Sequence, residues 1–306
     1  TLVPALAERA AHVTMLQRSP TYIVSLPARD PLAARLRRSW PARRAAAVVR
    51  WKNVLVSMLM YQACRRAPRL MRALIRKGVE RQLPPGYDVA THFTPRYDPW
   101  DQRLCLVPDG DLFKAIRDGR ASVVTDRIET FTERGVRLAS GRELEADVIV
   151  TATGLNLLVL GGMTVVVDGR EVDVSRTVGY KGTMLCGVPN MALTIGYTNA
   201  SWTLKADLVA RYVCRLLKHM DAHGYRSCTP RPPDPSLPTE PFIDLQAGYV
   251  LRSIDALPRQ GATTPWRLHQ NYLRDLLLFE RGSVEDGVLA FAPAPATVEA
   301  PARAAA

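Results

Sequence analysis

Val13-Thr-Met-Leu-Gln-Arg-Ser-Pro20 is the stretch that decides the fold of this 306-residue chain. Five apolar or β-branched-rich residues, Val13 to Gln17, read as a buried strand that stops at Arg18-Ser19-Pro20. Leu2, Val3, Leu6, Ala7 and Ala10 precede it at the spacing of one helix face. A helix, a buried strand and a turn at the strand's carboxyl end make half of a Rossmann unit. In such a unit the residue that reads the ribose lies about 20 positions after the glycine-rich turn. Counting back from Arg18 places that turn just before Thr1, so the chain is expected to start inside the unit's first helix.

The end of this strand also speaks about the ligand. An NAD site places an acid there for the ribose hydroxyls, whereas a 2′-phosphate needs a guanidinium and small donors. Arg18 and Ser19 stand at that place, with no acid beside them.

Outward from this unit, the segment Arg29 to Arg81 carries fifteen Lys and Arg against Asp30 and Glu80. The chain's net charge is +12, so the rest of the sequence sums to −1. Val48, Val49, Trp51, Val54, Leu55, Met58 and Leu59 recur there at helical spacing. Three readings stay open for this basic helical segment: a solvated arginine face, a surface that rests on anionic lipid, or a nucleic-acid contact. No helix-turn-helix, zinc or RNA-recognition signature accompanies the charge, which argues against nucleic acid.

Strand character returns from Ser122 to Val150, at Val123-Val124, Ile128–Thr132, Val136–Leu138 and Asp147–Val150, as a small meander leading into a central strand. Ala152-Thr153-Gly154 then makes a glycine turn where backbone can approach a nucleotide. Asp168-Gly169 between apolar residues predicts a hairpin. A long amphipathic helix is expected over Trp202–Met220, with Leu204, Leu208, Val209, Tyr212, Val213, Leu216 and Leu217 as its core stripe. Its amino end, Gly196-Tyr-Thr-Asn-Ala-Ser-Trp202, is suited to an electron-rich ligand edge, because a helix start stabilises negative charge. Six prolines between Thr229 and Pro241 predict an extended connector, and the Ala/Pro-rich last fifteen residues are expected to be disordered.

Other chemistries lack support. No apolar run is long enough to cross a membrane, and no charged n-region with an apolar core opens the chain. The five scattered cysteines show no paired spacing, as expected of reduced thiols in a cytoplasmic protein. No G-x-S-x-G elbow is present. His219 and His223 stand four apart near the end of the long helix, without the adjacent glutamate of the metalloprotease pattern, and are expected to face solvent, so no metal site is expected. Gln102-Arg103 lies in a stretch of poor helix and strand character; its arginine either holds an anion or pairs with Asp98 or Asp101.

Taken together, four segments resemble the flavin-containing monooxygenase superfamily: His12–Tyr22, Tyr97–Pro108, Ala152–Asn156 and Gly196–Asp207. More narrowly they are similar to Baeyer–Villiger monooxygenases of the mycobacterial ethionamide-activating type, up to about Phe291. The resemblance implies an α/β fold with two interleaved Rossmann-like dinucleotide-binding domains, one for FAD and one for NADPH, present here incomplete and with a helical insertion. It divides the chain into 1–28 and 96–150 (NADP-binding), 29–95 (basic helical insertion), 151–228 (carboxy-terminal part of the FAD domain) and 229–306 (connector and tail). It implies that Arg18 and Ser19 bind the 2′-phosphate and that Arg103 is catalytic, stabilising a flavin peroxide. Gln102 is expected beside the nicotinamide cofactor, while Thr153, Gly154, Asn199, Ala200, Ser201 and Trp202 are expected against the flavin. The implied reaction is ketone oxidation or sulfur oxygenation with O₂ through a C4a-peroxyflavin, on a ketone or thio-carbonyl substrate. The family's glycine motifs and its F-x-G-x-x-x-H-x-x-x-W-P-like fingerprint are absent from this sequence, so that activity is expected of a longer parent. The alternative is a non-catalytic remnant whose basic segment rests on the inner face of the membrane or on a partner.

Overall fold

The computed structural model describes residues 2–293, which form two units: 2–154 with 245–247, and 155–244 with 248–293. The first begins with α1 (Leu2–Ala7) and β1 (Val13–Gln17), followed by β2 (Ile23–Leu26). Three helices then carry the basic segment: α2 (Pro31–Ser39), α3 (Ala42–Arg66) and α4 (Pro68–Glu80). Asp30 starts α2 in the way a capping residue should, its carboxylate accepting from the amides of Leu32 and Ala33 while also pairing with Lys52 of α3. After α5 (Val89–Phe93) come β3 (Cys105–Pro108), α6 (Asp111–Arg117) and β4 (Ala121–Thr125).

Parallel pairing defines this unit. β1 runs parallel to β4 with Val13 opposite Ala121, and β2 runs parallel to β3 with Ile23 opposite Cys105. Parallel strands need crossovers: α2 to α5 lie between β2 and β3, and α6 lies between β3 and β4 in the chain. The core lies where these elements meet, around Ile23, Val79, Phe93, Val107, Phe113 and Val123. An antiparallel meander follows: β5 (Ile128–Thr132), β6 (Gly135–Leu138) and β7 (Glu143–Glu145).

The expected strand at Asp147–Val150 is a correction. These residues form no strand, and Val148 is 78% exposed with Ile149 and Val150 also exposed. Their β-branched side chains favour extended backbone, but a strand requires a neighbour to complete its hydrogen-bond ladder, and no described segment provides one.

The second unit opens with the hairpin β8 (Val166–Val167) and β9 (Arg170–Glu171), turned by Asp168 and Gly169 at φ 50° and 77°. A short pair, β10 (Gly179–Tyr180) and β11 (Met184–Leu185), leads to α7 (Trp202–His223). Gly224 ends that helix in the left-handed conformation. The buried stripe of α7 is Lys205, Leu208, Val209, Tyr212, Leu216 and Met220. It is therefore rotated from the expected one: Leu217 is exposed, and Leu204 and Val213 are only partly buried.

Residues 229–306 are more than a connector. β12 (Tyr225–Pro230) pairs antiparallel with β15 (Leu289–Pro293), and β13 (Thr239–Pro241) pairs with β14 (Arg259–Gly261). Between them lie α8 (Gly248–Leu251) and α9 (Tyr272–Glu280), the latter packed on α7. The proline-rich stretch thus carries strand residues at both ends. Of the last fifteen residues, Ala292 and Pro293 belong to β15, and the remainder lies outside the described residues.

Candidate functional site

In the first unit, Arg18 and Ser19 follow β1 directly and both are exposed at its carboxyl end. The strand end is pinned from beneath. Gln17 Nε2 donates to the His92 carbonyl at 2.8 Å and to Thr125 Oγ1 at 2.9 Å. Asp126, just past β4, donates its amide to the Gln17 carbonyl at 2.9 Å. Among the described residues Arg18 has no ion-pair or hydrogen-bond partner, so its guanidinium is available for an external anion.

Gln102 and Arg103 lie on the loop before β3, and that loop is held tightly. Tyr22 donates its hydroxyl to the Tyr97 carbonyl at 2.7 Å, Tyr97 donates to Thr21 at 3.0 Å, and the two rings meet edge-on. Asp98 and Asp101 are engaged by the basic helices: Arg72 of α4 pairs with Asp98, and Arg65 of α3 pairs with Asp101 at 2.7 Å. Arginines of the basic segment thus engage both acids of this loop. Arg103 itself is exposed two residues before β3, and Gln102 is partly buried, bridged to Pro99. Thr153 and Gly154 are exposed at the end of the unit, Gly154 with φ +101°.

In the second unit, Asn199, Ala200, Ser201 and Trp202 form the turn that starts α7. Gly196 makes the turn possible, because a Cβ there would stand 2.2 Å from Cγ of Trp202. Asn199 is buried and donates to the Gln270 carbonyl at 2.9 Å, while the Thr198 amide donates to the Gln270 side chain at 2.9 Å. Ser201 occupies the cap position but makes no capping bond; its hydroxyl meets Thr203 at 2.8 Å instead. Trp202 is 54% exposed and the first turn carries no acid. A 22-residue helix therefore begins with uncapped amides and an exposed indole, a start that suits an electron-rich planar ligand.

What holds this turn in place was not legible beforehand. Lys205, 1% exposed, donates to Asp275 Oδ2 at 2.8 Å, and Tyr197 donates to the same oxygen at 2.7 Å. Phe279 lies under the ammonium at 4.4 Å. Burial pushes the Lys205 ammonium down and Asp275 opposes it; burial, then the Asp275 charge, pushes the Tyr197 phenol up. A second cluster joins Tyr212 of α7 to Tyr180, Lys181 and Asp286. Lys181 pairs with Asp286 at 3.1 Å, and Tyr180 donates to the same carboxylate at 2.6 Å. Burial pushes the Asp286 carboxyl up, but Tyr180 and Lys181 together outweigh it and hold it below its ordinary value. The available signal was a lysine on the apolar stripe of a helix, where a solvated lysine does not belong.

His223 is exposed as expected, whereas His219 is largely buried, its side chain 17% exposed.

Removing one member of a buried ion pair leaves the other charge uncompensated, at a cost of about 3–5 kcal/mol. Lys205→Met is therefore expected to destabilise the chain by about that much, and Lys205→Met with Asp275→Leu by clearly less. Urea unfolding of both variants measures the coupling; equal, additive losses would contradict it.

No protein-family model matches the chain. A search of curated proteins finds the FAD-containing monooxygenase EthA of Mycobacterium tuberculosis, 59% identical over 299 residues, covering 97% of this chain and 61% of that protein. Among solved structures, an oxidized steroid monooxygenase bound to NADP matches with TM-score 0.61 at 17% identity, over 95% of this chain and 64% of the other. OTEMO in complex with FAD and NADP matches with TM-score 0.59 at 13% identity, again over 95% and 64%. The chain thus spans about 61% of the length of the curated relatives it matches. By sequence the chain is thus similar to FAD-containing monooxygenases, and its fold is that of the solved monooxygenase structures.

Proposed function

We propose that this chain supplies the NADPH-recognising and flavin-facing portions of an FAD- and NADPH-dependent monooxygenase acting on a small ketone or thio-carbonyl compound. The observation that carries the reading is Arg18 with Ser19, exposed and free of acid at the carboxyl end of a parallel strand. A guanidinium there offers paired donors to a 2′-phosphate, where the carboxylate of an NAD site would repel it. Segments 1–28 and 96–150 would form the nicotinamide-nucleotide domain around the basic insertion 29–95, and 151–228 would belong to the flavin domain.

The residues present suit a flavin. The uncapped first turn of α7 offers amide donors to a negatively charged ring edge, and Trp202 offers an aromatic face. When bound, FAD supplies the oxygen chemistry, taking reducing equivalents from NADPH and activating O₂. Within this reading Ser201 and the first amides of α7 hold the ring edge, while Asn199, fixed to Gln270, keeps the turn from opening. Thr153 and Gly154, at a glycine turn, would let backbone come close to a bound nucleotide. Arg103 presents a permanent positive charge to an anion, with Gln102 beside it for the nicotinamide amide.

A second reading concerns the basic helices. Val48, Trp51, Leu55 and Leu59 of α3 are exposed at helical spacing amid arginines, an arrangement suited to an anionic lipid surface. No helix among the described residues is long and apolar enough to cross a membrane, so the contact would be peripheral.

For the first reading, Arg18→Ala is expected to weaken binding of 2′,5′-ADP to the chain by about ten- to a hundredfold, the worth of a charge-assisted hydrogen bond. Binding of 5′-ADP should be unchanged in calorimetric titration; equal weakening of both nucleotides would contradict the assignment. The second reading predicts co-sedimentation with phosphatidylserine vesicles that is lost at high salt and on neutralising Arg35, Arg37 and Arg38. Absence of binding at low salt removes it.

A further inference from the structure

We propose that His219, His223 and Glu285 form a site for a divalent first-row transition ion such as zinc, independent of the flavin and nicotinamide assignments. The two histidines stand four apart on α7 and so share one face of its last turn. Glu285 comes from the segment between α9 and β15, and one ligand atom from each residue lies within 4.8 Å of the others.

The ring nitrogens are prepared for a metal. His223 Nδ1 lies 2.8 Å from the His219 carbonyl, which only accepts, so in the neutral ring Nδ1 carries the proton and Nε2 keeps its lone pair. An N–H anchored to a backbone carbonyl is the usual support of a metal-binding imidazole. His219 Nε2 is a buried nitrogen with no hydrogen-bond partner among the described residues, yet it stands 3.2 Å from Glu285 Oε1. Two ligands bound at about 2.0–2.1 Å to a tetrahedral ion are separated by about 3.3–3.4 Å, so this spacing already matches one edge of the site.

Neighbouring aromatic rings fix both imidazoles. Tyr225 at the start of β12 lies nearly parallel to the His223 ring, at 7° and 5.6 Å. Phe291 of β15 meets the His219 ring at 5.1 Å, and β12 and β15 are paired with each other. The His219 and His223 rings are 4.2 Å apart, a separation that two imidazolium charges would oppose and one shared cation would favour. Two imidazoles and one carboxylate suit zinc, cobalt or nickel, with a fourth position left for water. Such an ion would fasten the end of α7 to the segment that also carries Asp286, the partner of Lys181.

Cobalt(II) titration of the tag-free full chain, followed by visible absorption, tests the site. One equivalent is expected to bind with ligand-field bands and no thiolate-to-cobalt charge transfer, which separates this site from the exposed Cys105 and Cys214. His223→Ala and Glu285→Gln, both at exposed positions, should each weaken binding at least tenfold with far-ultraviolet circular dichroism unchanged. Zinc should raise the melting temperature of the parent chain and not of these variants. No saturable binding, binding undiminished in both variants, or charge-transfer bands from thiolate would overturn the proposal.

Discussion

Two full charges, Lys205 and Asp275, lie in the middle of the second unit, each with its side chain 1% exposed. Taking an ammonium and a carboxylate out of water costs several kcal/mol per ion, recovered only when they face each other with good geometry. That requirement fixes more than the pair. It sets α7 against α9, and through Tyr197, which shares the same carboxylate oxygen, it sets the turn from Gly196 to Trp202 that opens α7. The uncapped helix start proposed for the flavin is thus positioned from behind by a buried salt bridge. An apolar pair could fill the same volume without specifying which way the turn faces.

In the first unit, fixed charges do a comparable task at the surface. Arg65 and Arg72 reach from the basic helices to Asp101 and Asp98, so part of the excess positive charge orders the loop that carries Gln102 and Arg103. Exposed ion pairs contribute little stability, and their effect here is geometric: they tie the loop to α3 and α4. The insertion and the candidate nicotinamide region are therefore one physical system, since the same helices that give the chain its charge also shape that loop.

How far the sequence could be read follows the range of the forces involved. β1, the Asp168-Gly169 hairpin and the extent of α7 are set by local alternation, turn chemistry and helical period, and they stand in the structure where the residues place them. Asp147–Val150 has the same local character and forms no strand, because pairing is a property of two segments and not of one. The burial of Lys205 and of His219 was not readable for a related reason. Their character depends on Asp275 and Glu285, which lie 70 and 66 residues further along the chain, and no periodicity reports such a meeting. The positions of Arg18, Arg103 and Ser201 were readable, but the pinning of their loops by Gln17, Tyr97 and Gln270 was not.

The central claim is that the buried Lys205–Asp275–Tyr197 cluster holds the uncapped start of α7 in place. Hydrogen exchange of the parent chain and of Lys205→Met, resolved by peptide, tests it directly. The account predicts faster exchange in residues 196–208 and 270–280 together, with the β1–β4 region of the first unit unchanged. Unaltered exchange at the start of α7, or an equal rise throughout both units, would contradict it.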